Sequence, residues 1–245
     1  PPFTSIPSRR AGVEVQFLSD SSGAVVMDSV SVYDAEGDGV LGISSGLNSS
    51  ATFDAQDCQF SENGTPGYPA DADLSSSGLH LIARELGTWN TVGIGGSSMV
   101  RNLWHGAYLQ GTSDLTEDDT FGPISITGSK FNFNDGNTVG EQTHGIFVAL
   151  NDMNGSLSIR QSITSGNHTS GVRYAAGQNF KLRSHSITLK NCLVSLNKGL
   201  DTLRGAAEDG APITISGGVL NSILTRLGHV TSTDNSSPWG LSVLN

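Results

Sequence analysis

An apolar, an outward and a second apolar residue follow a glycine again and again along this chain: Gly12-Val-Glu-Val, Gly39-Val-Leu-Gly, Gly78-Leu-His-Leu, Gly106-Ala-Tyr-Leu, Gly145-Ile-Phe-Val, Gly171-Val-Arg-Tyr, Gly199-Leu-Asp-Thr and Gly240-Leu-Ser-Val. Alternation of this kind is the period of a β-strand with one buried face. Successive glycine positions differ by 27, 39, 28, 39, 26, 28 and 41, so a unit near 27 is lengthened at intervals by an insertion. One strand triplet per unit predicts a solenoid in which each unit is one coil.

A second pattern runs beside the first. An apolar residue followed three positions later by asparagine occurs at Phe60/Asn63, Met99/Asn102, Phe131/Asn134 and Val194/Asn197; Ile163/Asn167 is one residue longer, and Tyr33/Glu36 fills the slot in the second unit. Asparagine tolerates left-handed backbone angles, and its amide can bond to copies above and below, which predicts a column of asparagines turning each coil. The chain from this asparagine to the next glycine is long after Asn63 and Asn134 and short after Asn102 and Asn167. Insertions at one corner place loops on one side of a solenoid, where a ligand groove is usually built.

This repeat grammar resembles, over essentially the whole chain, that of the right-handed parallel β-helix superfamily, the pectin-lyase-like fold. The resemblance implies an all-β, right-handed parallel β-helix of about eight coils with loop insertions on one side. It points to polysaccharide lyases and hydrolases, phage tailspikes and adhesin passengers. Neither the paired-aspartate and Gly-His-Gly signatures of polygalacturonase-like hydrolases nor the Arg-x-Pro-x-x-Arg pattern of pectate lyases is present, so no catalytic residue carries over. Repeat grammar specifies a fold better than a chemistry.

Composition narrows the partners. Thirteen Lys and Arg against 23 Asp and Glu give a net charge of −10, which disfavours nucleic acid and anionic membrane surfaces. No apolar run approaches the roughly 20 residues needed to cross a bilayer. The chain starts at Pro1-Pro2 without a methionine or signal peptide, so residues 1–245 are read as a single β-helix domain, part of a larger or processed extracellular or cell-surface protein. Cys58 and Cys192 fall on units too far apart to form a disulfide, whose Cα atoms must lie within roughly 7 Å.

Candidate chemistry comes from the residues that alternation turns outward: Glu14, Leu41, His80, Tyr108, Phe147, Arg173, Asp201 and Ser242. Within this column, His80, Tyr108, Phe147, Arg173 and Asp201 offer rings, a planar fork of donors and an acid to a sugar. The slot before each glycine reads Asp38, Ser77, His105, His144, Ser170, Lys198 and Trp239, with Trp104 beside His105. His105 and His144 share a slot on adjacent coils, and with Arg173 they form the candidate catalytic set: imidazoles to take a proton, a cation to stabilise developing charge. Substrate binding is expected at His80, Trp104, Tyr108, Phe147, Lys198 and Asp201. Stacked like side chains in a solenoid are also an ordinary structural device.

Other motifs carry less. The acidic run Asp114, Glu117, Asp118 and Asp119 reads as a solvated loop rather than a pair of glycosidase carboxylates. No cofactor is called for; Asp34, Glu36 and Asp38 resemble half of a calcium loop but lack its terminal acid, since Ser45 stands there. The expected function is a secreted or surface-exposed β-helix that binds an extended polysaccharide or cell-surface glycan, and that cleaves it, as lyase or glycoside hydrolase, if the histidines act as bases. The alternative is a structural or adhesive segment (fibre, sheath, adhesin or tailspike shaft) with homo-oligomeric or end-to-end assembly.

Overall fold

Each repeat folds into one coil of three short strands, because alternating inward residues can bury their apolar side only by stacking on the next coil. The structure is a computed structural model, and it describes residues 11–65, 75–113, 120–134, 143–177, 182–197, 213–217, 221–235 and 242–244. The first coil holds β1 (Val13–Phe17), β2 (Ser22–Asp28) and β3 (Ser31–Tyr33), and the second β4 (Val40–Ser45), β5 (Ser50–Gln56) and β6 (Gln59–Ser61). The third has β7 (Leu79–Arg84), β8 (Thr88–Gly95) and β9 (Ser98–Val100), and the fourth β10 (Ala107–Thr112), β11 (Thr120–Thr127) and β12 (Lys130–Asn132). The fifth has β13 (His144–Asn151), β14 (Asn154–Arg160) and β15 (Ile163–Ser165), and the sixth β16 (Ser170–Ala176), β17 (Arg183–Lys190) and β18 (Leu193–Ser195). The seventh has β19 (Ile213–Gly217), β20 (Asn221–Gly228) and β21 (Thr231–Thr233), and β22 (Ser242–Leu244) opens an eighth.

The strands assemble into three parallel sheets. The first sheet has eight strands, starting at β1 and taking every third strand to β22, and the other two have seven each. This is an all-β, right-handed parallel β-helix. The expected eight coils resolve into seven complete ones and the single strand β22. Gly199-Leu-Asp-Thr lies outside the described residues, and the seventh strand of the first sheet is β19, which pairs with β16, Ile213 beside Val172 and Ile215 beside Tyr174. Alternation was equally good at both places, and the glycine favoured the wrong one.

The interlocking of the two repeat patterns explains the glycines. A Cβ on Gly106 would lie 2.5 Å from the Gly145 carbonyl oxygen and 3.0 Å from Asn134 Nδ2, and one on Gly78 would meet Asn102 Nδ2 and the Gly106 carbonyl oxygen at 2.8 Å each. Close approach of the asparagine column, rather than backbone angle, demands glycine there. From Asn102 onward, each Oδ1 in that column accepts the backbone N–H and the side-chain amide of the asparagine one coil earlier. Asn134 Oδ1 does so from Asn102 at 3.1 Å in both cases, while Asn134 Nδ2 donates to Asn167 Oδ1 (2.9 Å) and to the Met99 carbonyl (3.3 Å). The ladder runs from Asn63 to Asn235.

Three expectations at this bend change. The left-handed backbone falls on the residue before each asparagine, for example Arg101 (φ 59°) and Phe133 (φ 56°), and not on the asparagine itself. Thr164, not Ile163, pairs with Phe131, so the interior position three before Asn167 is a threonine. Likewise Val32, not Tyr33, pairs with Phe60. Tyr33 is exposed and donates to Gln59 Oε1 at 2.6 Å.

The interior is filled by the inward rows of the sheets, such as Leu79, Ala107, Ile146, Val172 and Ile213. Trp89 is fully buried and its indole N–H donates to the Ile82 carbonyl at 2.9 Å; Gly42 leaves the room its ring needs. Cys58 and Cys192 are buried free thiols that donate to main-chain carbonyls of Gln56 and Lys190. A polar cluster inside the solenoid escaped the sequence reading: Arg183, completely buried, donates to Asp152 Oδ1 at 3.0 Å, and Tyr174 Oη lies 2.9 Å from His185 Nδ1. Nothing in sequence marks Arg183 as interior except its place at the start of β17.

Candidate functional site

Parallel register sets the outward column of the first sheet. Leu41, His80, Tyr108, Phe147, Arg173 and Thr214 are direct partners on consecutive strands. Thr214 holds the place beside Arg173 that Asp201 was expected to fill; Asp201 and Lys198 lie outside the described residues. Asp114, Glu117, Asp118 and Asp119 lie outside them too. The column is not an open solvent face along its length: Leu41, His80 and Thr214 are buried, while Tyr108, Phe147 and Arg173 are half-buried. At its N-terminal end Leu41 joins Ile43 and Ile82 in a small apolar cluster with Ala11 packed on it, which is why Leu41 is covered although it points away from the main core.

The side chains of this column form a ladder. The His80 ring stacks on Tyr108 with centroids 4.7 Å apart and planes 15° from parallel, and Tyr108 stacks on Phe147 at 5.1 Å and 8°. The Arg173 guanidinium carbon then lies 5.2 Å over the Phe147 ring, a cation–π contact that ends the ladder. Since the faces of the inner rings cover one another, their edges are what is left for a ligand. The faces of Tyr108 and Phe147, expected to stack on a sugar, are each covered on both sides within the ladder.

Beside this ladder stands the slot before each glycine. His105 and His144 stack with centroids 5.3 Å apart and planes 6° from parallel, and both meet the edge of Phe147. Trp104, half-buried, tilts against His105 at 5.6 Å. The structure therefore brings together His80, Trp104, His105, Tyr108, His144, Phe147 and Arg173. The two stacked histidines are buried, and burial pushes His105 down to about 3, with His80 and Arg173 adding charge repulsion. Burial likewise holds His144 well below the usual imidazole range, with His105 and Arg173 adding to it. Burial raises the Tyr108 hydroxyl, and Arg173 partly opposes this.

A backbone-to-side-chain relay runs along the same slot. Ser77 N–H donates to Asp38 Oδ1 (2.7 Å), His105 N–H to Ser77 Oγ (3.4 Å) and His144 N–H to His105 Nδ1 (3.0 Å). His105 Nδ1 is thus an acceptor committed to the next coil, and its lone pair is not free to take a substrate proton. The relay stops at His144, neither of whose ring nitrogens has a hydrogen-bond partner among the described residues.

Asp38, one of the three acids of the suspected calcium loop, is completely buried. It accepts from Ser75 N–H (3.2 Å) and Ser75 Oγ–H (2.9 Å), and its Oδ2 lies 3.3 Å from His80 Nδ1. Asp34 and Glu36 are exposed, so the three acids do not converge, and among the described residues no group of three or more His, Cys, Asp or Glu side chains could hold a metal ion. The Asp38–His80 pair was missed because its members belong to two different columns. Its signal is the diagonal step from the residue before one glycine to the outward triplet residue of the following coil.

Comparison with known proteins returned no matching family model, no matching curated protein and no matching solved structure. The fold places the chain among parallel β-helix solenoids.

Proposed function

We propose that this chain is an extracellular or cell-surface β-helix of the pectin-lyase-like kind that binds an extended polysaccharide along its first sheet. The observation that carries this reading is the half-buried run Tyr108, Phe147 and Arg173, which continues the His80 stack and adjoins the His105–His144 pair. Side chains in parallel register repeat at the strand spacing, about 4.8 Å, and a straight row of ring edges, a hydroxyl and a guanidinium suits a ligand that is itself a linear polymer of hydroxylated units. A chain of net charge −10 does not offer such a row to a nucleic acid. Affinity electrophoresis through gels containing acidic or neutral polysaccharides tests the reading. Retardation by at least one polysaccharide, lost in Tyr108→Ala plus Phe147→Ala, is expected; retardation that survives the double substitution rejects it. Reducing-end release from the retained polysaccharide separately reports whether bonds are broken.

A structural or adhesive segment is the second reading. It is favoured by the commitment of His105 Nδ1 to the His144 N–H and by the ring faces that cover one another. Both features stabilise a stack of coils without any ligand. Under this reading, no polysaccharide is retained, and the double substitution lowers stability alone.

A further inference from the structure

Among the described residues, three ring nitrogens of the first-sheet corner are buried without a hydrogen-bond partner: Nε2 of His80 and both nitrogens of His144. A buried polar atom left unpaired is costly, so native structures rarely keep one unless another group meets it. The two histidines differ in what holds them. Nothing fixes the His144 imidazole by hydrogen bonding, whereas His80 Nδ1 faces Asp38 Oδ2 at 3.3 Å. A carboxylate can only accept, and the Ser75 hydroxyl, also 3.3 Å from Nδ1, gives its hydrogen to Asp38 Oδ1, so Nδ1 carries the hydrogen and Nε2 is the atom turned away from Asp38. Asp38 cannot swing away: Ser75 N–H, Ser75 Oγ–H and Ser77 N–H also donate to it, and its side chain is completely buried. Stacking on Tyr108 fixes the plane of the imidazole. A buried carboxylate that sets the tautomer and direction of an imidazole prepares the opposite nitrogen to meet a partner.

We infer that His80 Nε2 receives a hydrogen bond from a hydroxyl of the bound polysaccharide and that Asp38 is the positioning residue that aims it. This rests on the reading that the first sheet binds a polysaccharide, and it names the polar contact at the N-terminal end of the ring ladder. A metal ion is a poorer occupant, since among the described residues no third His, Cys, Asp or Glu completes a ligand set. A hydroxyl is the matching donor for an imidazole nitrogen, and the ladder beside it leads straight from the half-buried edges of Phe147 and Tyr108 to His80. His80 is buried in the free chain, so the contact forms with a local opening at its ring edge, while Tyr108 stays stacked on the ring face.

The test uses the whole chain and three probes, cello-, manno- and galacturonate oligosaccharides, with affinity read by calorimetry and the His80 imidazole by nitrogen NMR. In the free protein, the His80 signals should report hydrogen on Nδ1. Addition of the probe that binds should move the Nε2 resonance, and His80→Phe, which keeps a ring in the ladder, should weaken affinity about tenfold, the loss of one hydrogen bond. Asp38→Asn should weaken binding similarly and blur the tautomer preference, a change that a merely structural role for the carboxylate would not make. An Nε2 resonance unmoved at saturation, or wild-type affinity in a folded His80→Phe, overturns the inference. If Tyr108→Ala plus Phe147→Ala still abolishes that binding, the polysaccharide reading survives without it. Should His80→Phe fail to fold, His80→Gln and the wild-type resonance decide. Failure of all three probes to bind removes both.

Discussion

Two corners of the same coil obey opposite rules. At the bend after the third sheet, an asparagine recurs from Asn63 to Asn235, and each amide is satisfied by the copy one coil away. At the next corner, before each glycine, the residue type changes from Asp38 to Ser77, His105, His144 and Ser170, and the relay of hydrogen bonds ends at a histidine with two unpartnered nitrogens. Uniformity at the first corner is what a stack of coils needs for its own stability. The second corner also joins coil to coil, through its relay and stacked rings, but its varied residues and unpaired ring nitrogens are the features on which the proposed polysaccharide contact rests.

The largest way to break the comparison is to remove an asparagine from the middle of the uniform column. Asn134→Ala loses four hydrogen bonds at a completely buried site and strands the Asn102 N–H, and urea denaturation should report a loss of about 3–5 kcal/mol. Asn235→Ala, at the half-buried end of the ladder, should cost visibly less. Gly106→Ala comes next: its Cβ would press on the Gly145 carbonyl oxygen at 2.5 Å, and overpacking against backbone should cost about 2–3 kcal/mol in the same assay.

The mixed corner should reveal itself by pH. Burial keeps His105 and His144 neutral in the folded chain, so the unfolded chain binds protons that the folded one refuses. Stability is therefore unaffected above the ordinary histidine value of 6.5 and falls as pH drops below it, by about 1.4 kcal/mol per unit for each histidine, down to about 3 for His105. His105→Asn leaves an oxygen able to accept the His144 N–H and should flatten the acid limb of a stability–pH curve. An unchanged limb would mean that His105 is not the group responsible. The smallest effect belongs to the outer surface of the uniform corner, where the exposed Arg101–Glu62 pair at 3.2 Å should contribute less than about 0.5 kcal/mol, so Arg101→Ala should leave the denaturation midpoint nearly unmoved.

The same contrast decides what could be read from sequence. The asparagine and glycine columns were legible because most coils meet the same steric demand at the same position, so composition repeats with the fold. The ladder of His80, Tyr108, Phe147 and Arg173 was legible as register, for alternation alone orders it. Its burial was not legible, because Ala11 packs on the Leu41 cluster and Asp38 and Ser75 sit against His80, contacts that alternation does not give. The seventh coil was misread at Gly199, since Ile213-Thr-Ile has the alternation without the glycine. Asp38 and His80 were each visible, but their contact crosses between columns and depends on a side-chain direction that spacing does not give.

Thermal melting of the wild-type chain with and without a saturating oligosaccharide that it retains, set against Tyr108→Ala plus Phe147→Ala, tests the central claim most directly. A ligand that binds the folded state alone raises the melting temperature by mass action. The account predicts a clear rise for the wild type and none for the double variant, whose own melting temperature remains measurable. Equal rises in both proteins would contradict it, because the ligand would then be held somewhere other than the first-sheet ladder.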